Sequence, residues 1–324
     1  MNLKPDTLYF AESTSHDPYE NLAREHILTE NVLPGSPVLY LWSNSPSVVI
    51  GKNQDCYAEC KVEDILSSGV NLVRRFSGGG AVWHDLGNLC FSFCCSEADY
   101  DVTRQTEVIL DAMKALGFPA YRTGRNDIEI DGRKFSGNAY YEAKGNKCHH
   151  GTVMISCDLA KLQNYLTVSP AKLKKHAVRS VKSRVLNLSE LDPAVTPERV
   201  SVALLASFEK IYGGKAEYLA LDEISSETEK MAEALKNRNW IINRTLKNAV
   251  TYKGAFEWGS IEISLTLDGD TVSECIILTD IMDSEIPRLM ADNIKGKLFS
   301  KKLILDAAEI SGGVSFSKDI SSIF

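Results

Sequence analysis

The sequence predicts an α+β protein built as a larger domain followed by a smaller one. Helical and strand-like segments mix over roughly the first 210 residues, and tight turns join several of the strands. A polar, helix-prone stretch, 222–239, then leads to a second run of alternating strand residues. We therefore predict a large domain with mixed sheets over 1–245 and a smaller domain of strands and helices over 246–324.

Three helices of the larger domain are predicted from their end signals and apolar spacing. The first begins at Asp17, which can cap it, with Pro18 in its first turn and Glu20 three residues after the cap. The other two have apolar residues at helical spacing and glycines after their last turns. Their signals are Ile109, Ala112, Met113, Leu116 and Gly117 for the second helix, and Thr196, Pro197, Leu204, Phe208, Ile211, Gly213 and Gly214 for the third.

Strands are predicted wherever apolar runs end in turn residues. Two lie in VLYLWSNSPSVVIG, on either side of a break at 44–46. Three more surround a glycine-rich loop: one ends at Arg75, one spans 81–84, and one spans 89–94 after a turn at Gly87 and Asn88. NDIEIDGRKFSGNAYY and HHGTVMIS supply the remaining strands of the larger domain.

The smaller domain is predicted from the segment SIEISLTLDGDTVSECIIL. Its apolar residues alternate with polar neighbours, and Asp268 and Gly269 form a turn before the returning strand. Two helices, over about 285–294 and 300–310, are predicted to cover this sheet. Residues 241–252 are assigned to a linker. The alternating apolar residues are Ile261, Ile263, Leu265 and Leu267.

Composition narrows the function classes. The chain is 44% hydrophobic and 24% charged, which is typical of an ordinary globular protein. A net charge of -7 argues against nucleic-acid binding, and no apolar run approaches the ~20 residues that span a bilayer. The N-terminus has no secretory or transit signal, and the eight cysteines show no C-x-x-C spacing. We therefore expect a cytoplasmic protein with reduced thiols that binds neither a membrane nor nucleic acid.

The stretch LVRRFSGGGAVWHDLGNLCFSF, 72–93, places three consecutive glycines beside fixed charge. Glycine is needed where φ is positive or where a ligand approaches the main chain. Such a loop also leaves backbone N–H groups free to face an anion. The alternative is a glycine-rich turn with solvated arginines.

The hairpin in NDIEIDGRKFSGNA is fixed by Asp131 and Gly132, which form a two-residue turn. The predicted register pairs residue 130 with 133, 129 with 134, and Ile128 with Phe135. One face is then apolar and the other charged, because neighbours alternate in face. Lys134 on the charged face either pairs with Glu129 on a solvated surface or lines a cleft. The small residues that follow favour the cleft. The charged face is predicted to carry Asp127, Glu129, Lys134 and Ser136.

Two further clusters carry side chains suited to binding chemistry. SPAKLKKHAVRSVKSRVLNL concentrates six basic residues in an acidic chain, either as a solvated face or as a phosphate-binding segment. Cys148, His149 and His150 could each bind zinc, but adjacent strand residues point to opposite faces, which argues against one shared ion. The common nucleotide-binding loops and the serine nucleophile elbow are absent from the sequence.

Five segments in the same order and spacing resemble the lipoate-protein ligases. They are SNSPSVVIGKNQDCYAEC, RRFSGGGAVWHDLGN, GRNDIEIDGRKFSGNAYY, HHGTVMISCDL and VRSVKSRVLNL, which together cover most of 15–215. The resemblance implies the α/β fold shared with biotin-protein ligases, followed by an accessory domain. It also implies a two-step reaction: free lipoate and ATP give lipoyl-AMP and pyrophosphate, and a lysine of a carrier domain then accepts the lipoyl group.

The resemblance also assigns roles to residues. Lys134 would contact the lipoyl carboxyl and the α-phosphate, Asp127 could hold Mg²⁺, and the loop VRSVKSRV would close over the adenylate. The implied partners are the lipoyl domains of 2-oxoacid dehydrogenase E2 subunits and the glycine cleavage H protein. The implied ATP- and adenylate-binding residues are Arg75, Ser77, Gly78, Gly79, Gly80, Ala81, Val82, Trp83, Asn126, Asp127, Lys134, Ser136, Gly137, His150, Ser180, Ser183 and Arg184.

Two other functions fit the same fold. One is an ATP-independent acyltransferase that moves octanoyl or lipoyl groups through a cysteine nucleophile. No cysteine lies between Cys95 and Cys148, which disfavours it, although Cys148 and Cys157 stay candidates. The other is a non-catalytic lipoate-binding regulator. Pyrophosphate release from ATP in the presence of lipoate separates the three functions.

Overall fold

The computed structural model describes residues 3–124, 126–167, 185–242, 246 and 248–324. Its strands are β1 (Tyr9–Glu12), β2 (Val38–Trp42), β3 (Ser47–Ile50), β4 (Asn71–Arg74), β5 (Val82–His84), β6 (Asn88–Ser96), β7 (Tyr121–Thr123), β8 (Asp127–Ile130), β9 (Arg133–Ala143), β10 (Asn146–Met154), β11 (Glu217–Tyr218), β12 (Val250–Phe256), β13 (Gly259–Asp268) and β14 (Thr271–Thr279). Its helices are α1 (Pro18–Asn31), α2 (Cys56–Glu59), α3 (Val62–Ser67), α4 (Val102–Ala115), α5 (Leu159–Tyr165), α6 (Pro197–Tyr212), α7 (Ser225–Leu235), α8 (Arg238–Ile241), α9 (Ile286–Ile294) and α10 (Lys301–Ile320).

Eight of the described strands form one mixed sheet, in the order β11-β1-β2-β6-β10-β9-β8-β7. The pairs β1–β2 and β1–β11 are parallel, whereas β2–β6, β6–β10 and β9–β10 are antiparallel. Helices cover both faces of this sheet. On one face α4 and α6 pack against Phe91 and Phe93, and on the other α1 and α7 pack against Tyr40 and Tyr141. The predicted α+β class is confirmed.

The predicted helix ends are confirmed. The Asp17 carboxylate accepts hydrogen bonds from the backbone of Tyr19 and Glu20 at the start of α1. Thr196 caps α6, which ends at Gly213 with φ 79°. Gly117, after α4, has φ 87°. Local capping chemistry therefore sets these boundaries.

A small second sheet, β4-β3-β5, holds the glycine-rich loop between β4 and β5. Arg74 at the end of β4 is fully buried and donates to the carbonyl oxygens of Gly51 and Gln54 at 2.9 and 2.8 Å. It also donates to the carbonyl oxygen of Ile241 at 2.6 Å. This guanidinium ties the segment 51–54 and helix α8 to the small sheet, because each buried donor needs an acceptor.

A third sheet, β12-β13-β14, has its own apolar core with α9 and α10. The boundary near residue 245 remains a proposal, but the linker prediction is wrong at its end, because Val250–Phe256 forms strand β12. Helix α10 reaches Ile320 rather than residue 310, with a break at Gly313, where φ is 85°. A bulge between Thr266 and Leu267 interrupts the predicted alternation.

Within the described part of the chain, no helix combines the length and the apolar character needed to cross a membrane.

Candidate active site

Arg75 lies beneath the glycine loop and is almost fully buried. Its guanidinium donates to the carbonyl oxygens of Gly78 and Gly80 at 2.5 and 2.8 Å, and to that of Val49 at 3.2 Å. Burial lowers the pKa of Arg75 to about 10, so the group stays protonated at neutral pH. The buried charge therefore turns two loop carbonyls inward. The predicted contact between Arg75 and an adenylate stays a prediction.

A chain of hydrogen bonds links Arg75 to a buried carboxylate on α1. Arg75 Nε donates to Ser77 Oγ at 2.9 Å, and Ser77 Oγ lies 2.7 Å from His150 Nε2. His150 Nδ1 lies 2.8 and 2.9 Å from the two carboxylate oxygens of Glu25, and Glu25 Oε2 also accepts from Ser92 Oγ. Ser77 can therefore accept from the arginine and donate to the histidine, which in turn donates to Glu25. We call these four residues the Glu25–Arg75 chain.

The three glycines differ in what a side chain would meet at each position. A Cβ on Gly78 would lie 2.3 Å from the carbonyl oxygen of Met282, and Gly79 has φ 85°. A Cβ on Gly80 would meet nothing within 4 Å, and its φ is not positive. Protein packing thus requires the first two glycines but not the third. The open space at Gly80 suits a ligand that lies along the main chain.

Adjacent side chains of strand β5 point to opposite faces of the small sheet. Trp83 is buried, donates to Asp85 at 2.9 Å and stacks on Tyr165, so it is a core residue. Its neighbour His84 faces Asn44, and its Nε2 has no hydrogen-bond partner among the described residues. Burial, with help from Arg75 and His150, lowers the pKa of His84 to about 3. His84, which the sequence did not single out, is therefore a neutral imidazole beside the loop.

The hairpin of β8 and β9 has the predicted turn but not the full predicted register. Residues 129 and 134 pair as expected, but a bulge at Phe135 places Ile128 opposite Ser136. The pairing of Ile128 with Phe135 is therefore wrong, and so is the position of Ser136. Ser136 is fully buried on the apolar face. Gly137 takes its place opposite Asp127 on the charged face.

Lys134 pairs with Asp127 rather than with Glu129. The Lys134 Nζ and Asp127 Oδ1 atoms are 2.7 Å apart, and the two side chains are 36% and 41% exposed. A Cβ on Gly137 would lie 2.9 Å from Lys134 Nζ, so the glycine makes room for the ammonium group. The ion pair remains open to solvent and hence to a ligand.

Lys134 lies on the same face of the large sheet as His150. Gly137 N donates to Thr152 Oγ1, two residues after His150 on β10, and Ala139 pairs directly with His150. Directly paired and alternate residues share a face. The glycine loop, held by His150, and the Lys134–Asp127 pair are therefore presented on one side of the sheet.

The described residues that flank the basic segment reach this site. Val185 pairs with Lys134, and Leu186 N donates to the Lys134 carbonyl at 2.8 Å. At the other end, Thr167 N donates to the Glu59 carbonyl. The predicted loop residues Ser180, Ser183 and Arg184 lie outside the described residues. Residues 185 and 186 thus lie directly beside the Lys134 backbone.

The C-terminal sheet docks onto the glycine loop. Gly79 N donates to the Ile281 carbonyl at 3.1 Å, and Thr279 N donates to the Asn53 carbonyl at 2.7 Å. An ion pair joins Lys52 to Glu285 at 2.9 Å. The segment after β14 therefore braces the glycine loop.

Cys148 and Cys157, the two candidate thiol nucleophiles, lie within a group of possible metal ligands and just after β10, respectively. Burial raises the pKa of both Cys148 and Cys157, which keeps them protonated. Glu25, Cys148 and His150 are the one group in the described ranges whose ligand atoms lie within 4.8 Å of one another. However, both ring nitrogens of His150 already lie within hydrogen-bond distance of Glu25 and Ser77. Hydrogen bonding satisfies this cluster without an ion.

The fold is shared with solved lipoate ligases. P. falciparum LipL1 in complex with lipoate is 27% identical, with a TM-score of 0.84 over 97% of this chain and 98% of that one. The Thermoplasma acidophilum bipartite lipoate protein ligase, described with its E2 lipoyl domain, is 26% identical, with a TM-score of 0.63 over 76% and 99%. A lipoate-protein ligase A bound with ATP is 25% identical, with a TM-score of 0.60 over 73% and 98%.

Sequence comparison identifies the family. Lipoate-protein ligase A of Blochmanniella pennsylvanica is 33% identical over 96% of this chain and 95% of its own length. That of Bdellovibrio bacteriovorus is 34% identical over 91% and 89%. The profile of the lipoyl protein ligase A/B catalytic domain matches residues 17–209. The chain belongs to this lipoate-protein ligase family.

The glycine loop gives a prediction for stability. We expect Gly78→Ala to lower the free energy of unfolding by about 1–3 kcal/mol, because its methyl group would collide with the Met282 carbonyl. Gly80→Ala should leave the free energy of unfolding unchanged to within about 0.5 kcal/mol, because its methyl group enters open space. Urea denaturation of the two variants measures both effects. An equal loss in the two variants would contradict this account of the loop.

Proposed function

We propose that the protein is an ATP-dependent lipoate-protein ligase that forms lipoyl-AMP and transfers the lipoyl group to a carrier lysine. The observation that carries the proposal is the solvent-open Lys134–Asp127 pair, which lies on the sheet face that also presents the glycine loop. A fixed cation beside an open main-chain loop suits a reaction between two anions. Relatives solved with lipoate and with ATP support both substrates.

The first step is attack of a lipoate carboxylate oxygen on the α-phosphorus of ATP, which forms the acyl-phosphate bond and releases pyrophosphate. Lys134 lowers the repulsion between the carboxylate and the α-phosphate, and Asp127 holds the ammonium at 2.7 Å until the substrates arrive. The open space at Gly80 lets the adenylate lie along the loop. The loop VRSVKSRV, 178–185, would then exclude water from the anhydride.

The second step is attack of a lysine amine on the acyl carbon, which forms an amide and releases AMP. The archaeal relative solved with its E2 lipoyl domain supports a lipoyl domain as the acceptor. We extend this to lipoyl domains of 2-oxoacid dehydrogenase E2 subunits and to the glycine cleavage H protein, in a cytoplasmic setting. The acceptor lysine must reach the same sheet face as Lys134.

Mg²⁺ fits this site as an ion that enters with ATP. Asp127 is the one carboxylate that the described residues place on Lys134, and Mg²⁺ takes one or two carboxylates together with substrate phosphates. The ion would supply charge neutralisation at the phosphates. Asp127 is the residue that would hold the ion, beside its contact with Lys134.

The acyltransferase alternative is less well supported. A cysteine nucleophile needs a thiolate and access to substrate. Cys148 is fully buried and Cys157 nearly so, and burial raises the pKa of both thiols. The ATP-dependent route needs neither thiol.

Substitution of Lys134 tests the first step. We expect Lys134→Ala to lower the rate of lipoate-dependent pyrophosphate release by at least about a hundredfold, because one preorganised charge contributes that much to such a step. Lys134→Arg should be nearly as impaired, because a wide planar guanidinium does not fit over Gly137. Single-turnover assays with lipoate and ATP provide the measurement.

The matched control is Lys253→Ala. Lys253 forms a similar ion pair, 2.7 Å from Glu262, but across β12 and β13 of the C-terminal sheet. The Lys253→Ala variant should leave pyrophosphate release unchanged. Near-normal release by either Lys134 variant would reject the assigned role.

The thiols give a second functional prediction. Single Cys148→Ser and Cys157→Ser variants should retain ATP-dependent ligation to within about threefold, because neither thiol forms a bond in the reaction. Mass spectrometry of an acylated lipoyl domain measures the transfer. If either variant released pyrophosphate normally but no longer acylated the lipoyl domain, the cysteine route would be favoured instead.

A further inference from the structure

A second buried chain of polar groups lies on the opposite face of the sheet from the Glu25–Arg75 chain. His149 is adjacent to His150 on β10 but points toward α4, and it is fully buried. Its Nδ1 lies 3.0 Å from Gln105 Oε1, and its Nε2 lies 2.8 Å from Asn138 Oδ1. Buried polar groups in an aromatic core lower stability unless each finds a partner.

The direction of hydrogen-bond donation among these polar groups follows from the last acceptor. Asn138 Nδ2 is 3.0 Å from the Asn126 carbonyl, which can only accept, so Asn138 Oδ1 must face His149. His149 Nε2 therefore carries the hydrogen. Burial lowers the pKa of His149 to about 3, so the ring is neutral and its Nδ1 is an acceptor. The Gln105 amide must then turn its nitrogen, in place of Oε1, toward the ring.

The other end of the chain is completed by a thiol. Gln105 Nε2 lies 3.4 Å from Cys95 Sγ, and turning the amide so that its nitrogen faces His149 places its oxygen opposite that thiol as an acceptor. Burial raises the pKa of Cys95, so the thiol keeps the hydrogen that it donates. Every member of the chain is then satisfied in one direction, from Cys95 to Asn126.

The chain ends one residue from the reactive pair. The Asn126 carbonyl accepts from both Asn138 N and Asn138 Nδ2, at 2.9 and 3.0 Å. Asn126 precedes Asp127, which holds Lys134 at 2.7 Å. Because the bulge at Phe135 breaks the regular ladder nearby, the Asn138 side chain supplies a contact that the strand pairing alone does not.

From this geometry we infer that His149 is a positioning residue for the Lys134–Asp127 pair, acting through Asn138 and Asn126. The role rests on the proposed ligase function. Without the His149 donor, the Asn138 amide is free to rotate, and the Asn126 carbonyl, next to Asp127, loses a fixed donor. A displacement of about 1 Å at a catalytic group can lower the rate by as much as a hundredfold.

Three variants separate positioning from stability. His149→Leu removes both ring nitrogens, whereas His149→Gln keeps an N–H group that can reach Asn138. Val108→Ala is the matched control, because Val108 is fully buried on α4 in the same core and belongs to no polar chain. Urea denaturation establishes that the variants fold and how much stability each loses.

Lipoate-dependent ATP–pyrophosphate exchange gives the kinetic readout. We expect His149→Leu to lower kcat by at least about tenfold with the KM for lipoate within about twofold, because Lys134 is displaced while the Glu25–Arg75 chain still holds the glycine loop. His149→Gln should recover most of kcat, and Val108→Ala should keep it. An unchanged kcat in His149→Leu, or an equal fall in Val108→Ala, would overturn the inference.

Reactivity of Lys134 gives a readout that needs no substrate. Reductive methylation followed by mass spectrometry should modify Lys134 faster in His149→Leu and in Asn138→Asp, whose carboxylate cannot donate to Asn126. The rate should be unchanged in His149→Gln and Val108→Ala. If the wild-type protein showed no exchange, the proposed function would fail while this test still stood. Equal labelling of Lys134 in all variants would overturn the positioning role.

Discussion

The structure of the site depends on one buried charge, the guanidinium of Arg75. A buried cation is tolerated only when its donors are satisfied and a countercharge is near. The carbonyls of Gly78 and Gly80 accept hydrogen bonds from the guanidinium. Ser77 and His150 connect the guanidinium to the Glu25 carboxylate. The shape of the glycine loop is therefore set from below, by a charge that the loop itself covers. The C-terminal sheet docks on the same loop, so its docking contacts depend on the conformation of the loop.

Strand β10 joins the two halves of the site because its adjacent histidines face opposite ways. His150 reaches the glycine loop on the face covered by α1. His149 reaches the Asn126 segment through Asn138 on the face covered by α4. Loop and hairpin, which are distant in sequence, are thus both fixed to one central strand of a rigid sheet. Sites that are built on rigid elements hold their groups more closely than sites on loops alone.

Sequence reasoning succeeded where short-range chemistry decides the structure. The caps of α1 and α6, the turn at Asp131 and the glycine loop are all readable from neighbouring residues. Sequence reasoning failed where contacts between residues distant in sequence determine the structure. The bulge at Phe135 moved Ser136 into the core and gave Lys134 a different partner, and no local signal marks a bulge. Glu25 could not be assigned either, because on sequence alone it is one acidic residue of an ordinary helix. Strand β12 was missed because most of its side chains are polar or small.

A double-mutant cycle between Glu25 and Arg75 tests most directly whether the buried chain sets the loop. The free energy of unfolding would be measured for Glu25→Gln, Arg75→Met and the double variant. Each single change leaves one buried charge without its counterpart, whereas the double change removes both. The account predicts that the double variant loses at least about 1 kcal/mol less than the sum of the two single losses. Additive losses would show that the two charges act independently and would contradict it.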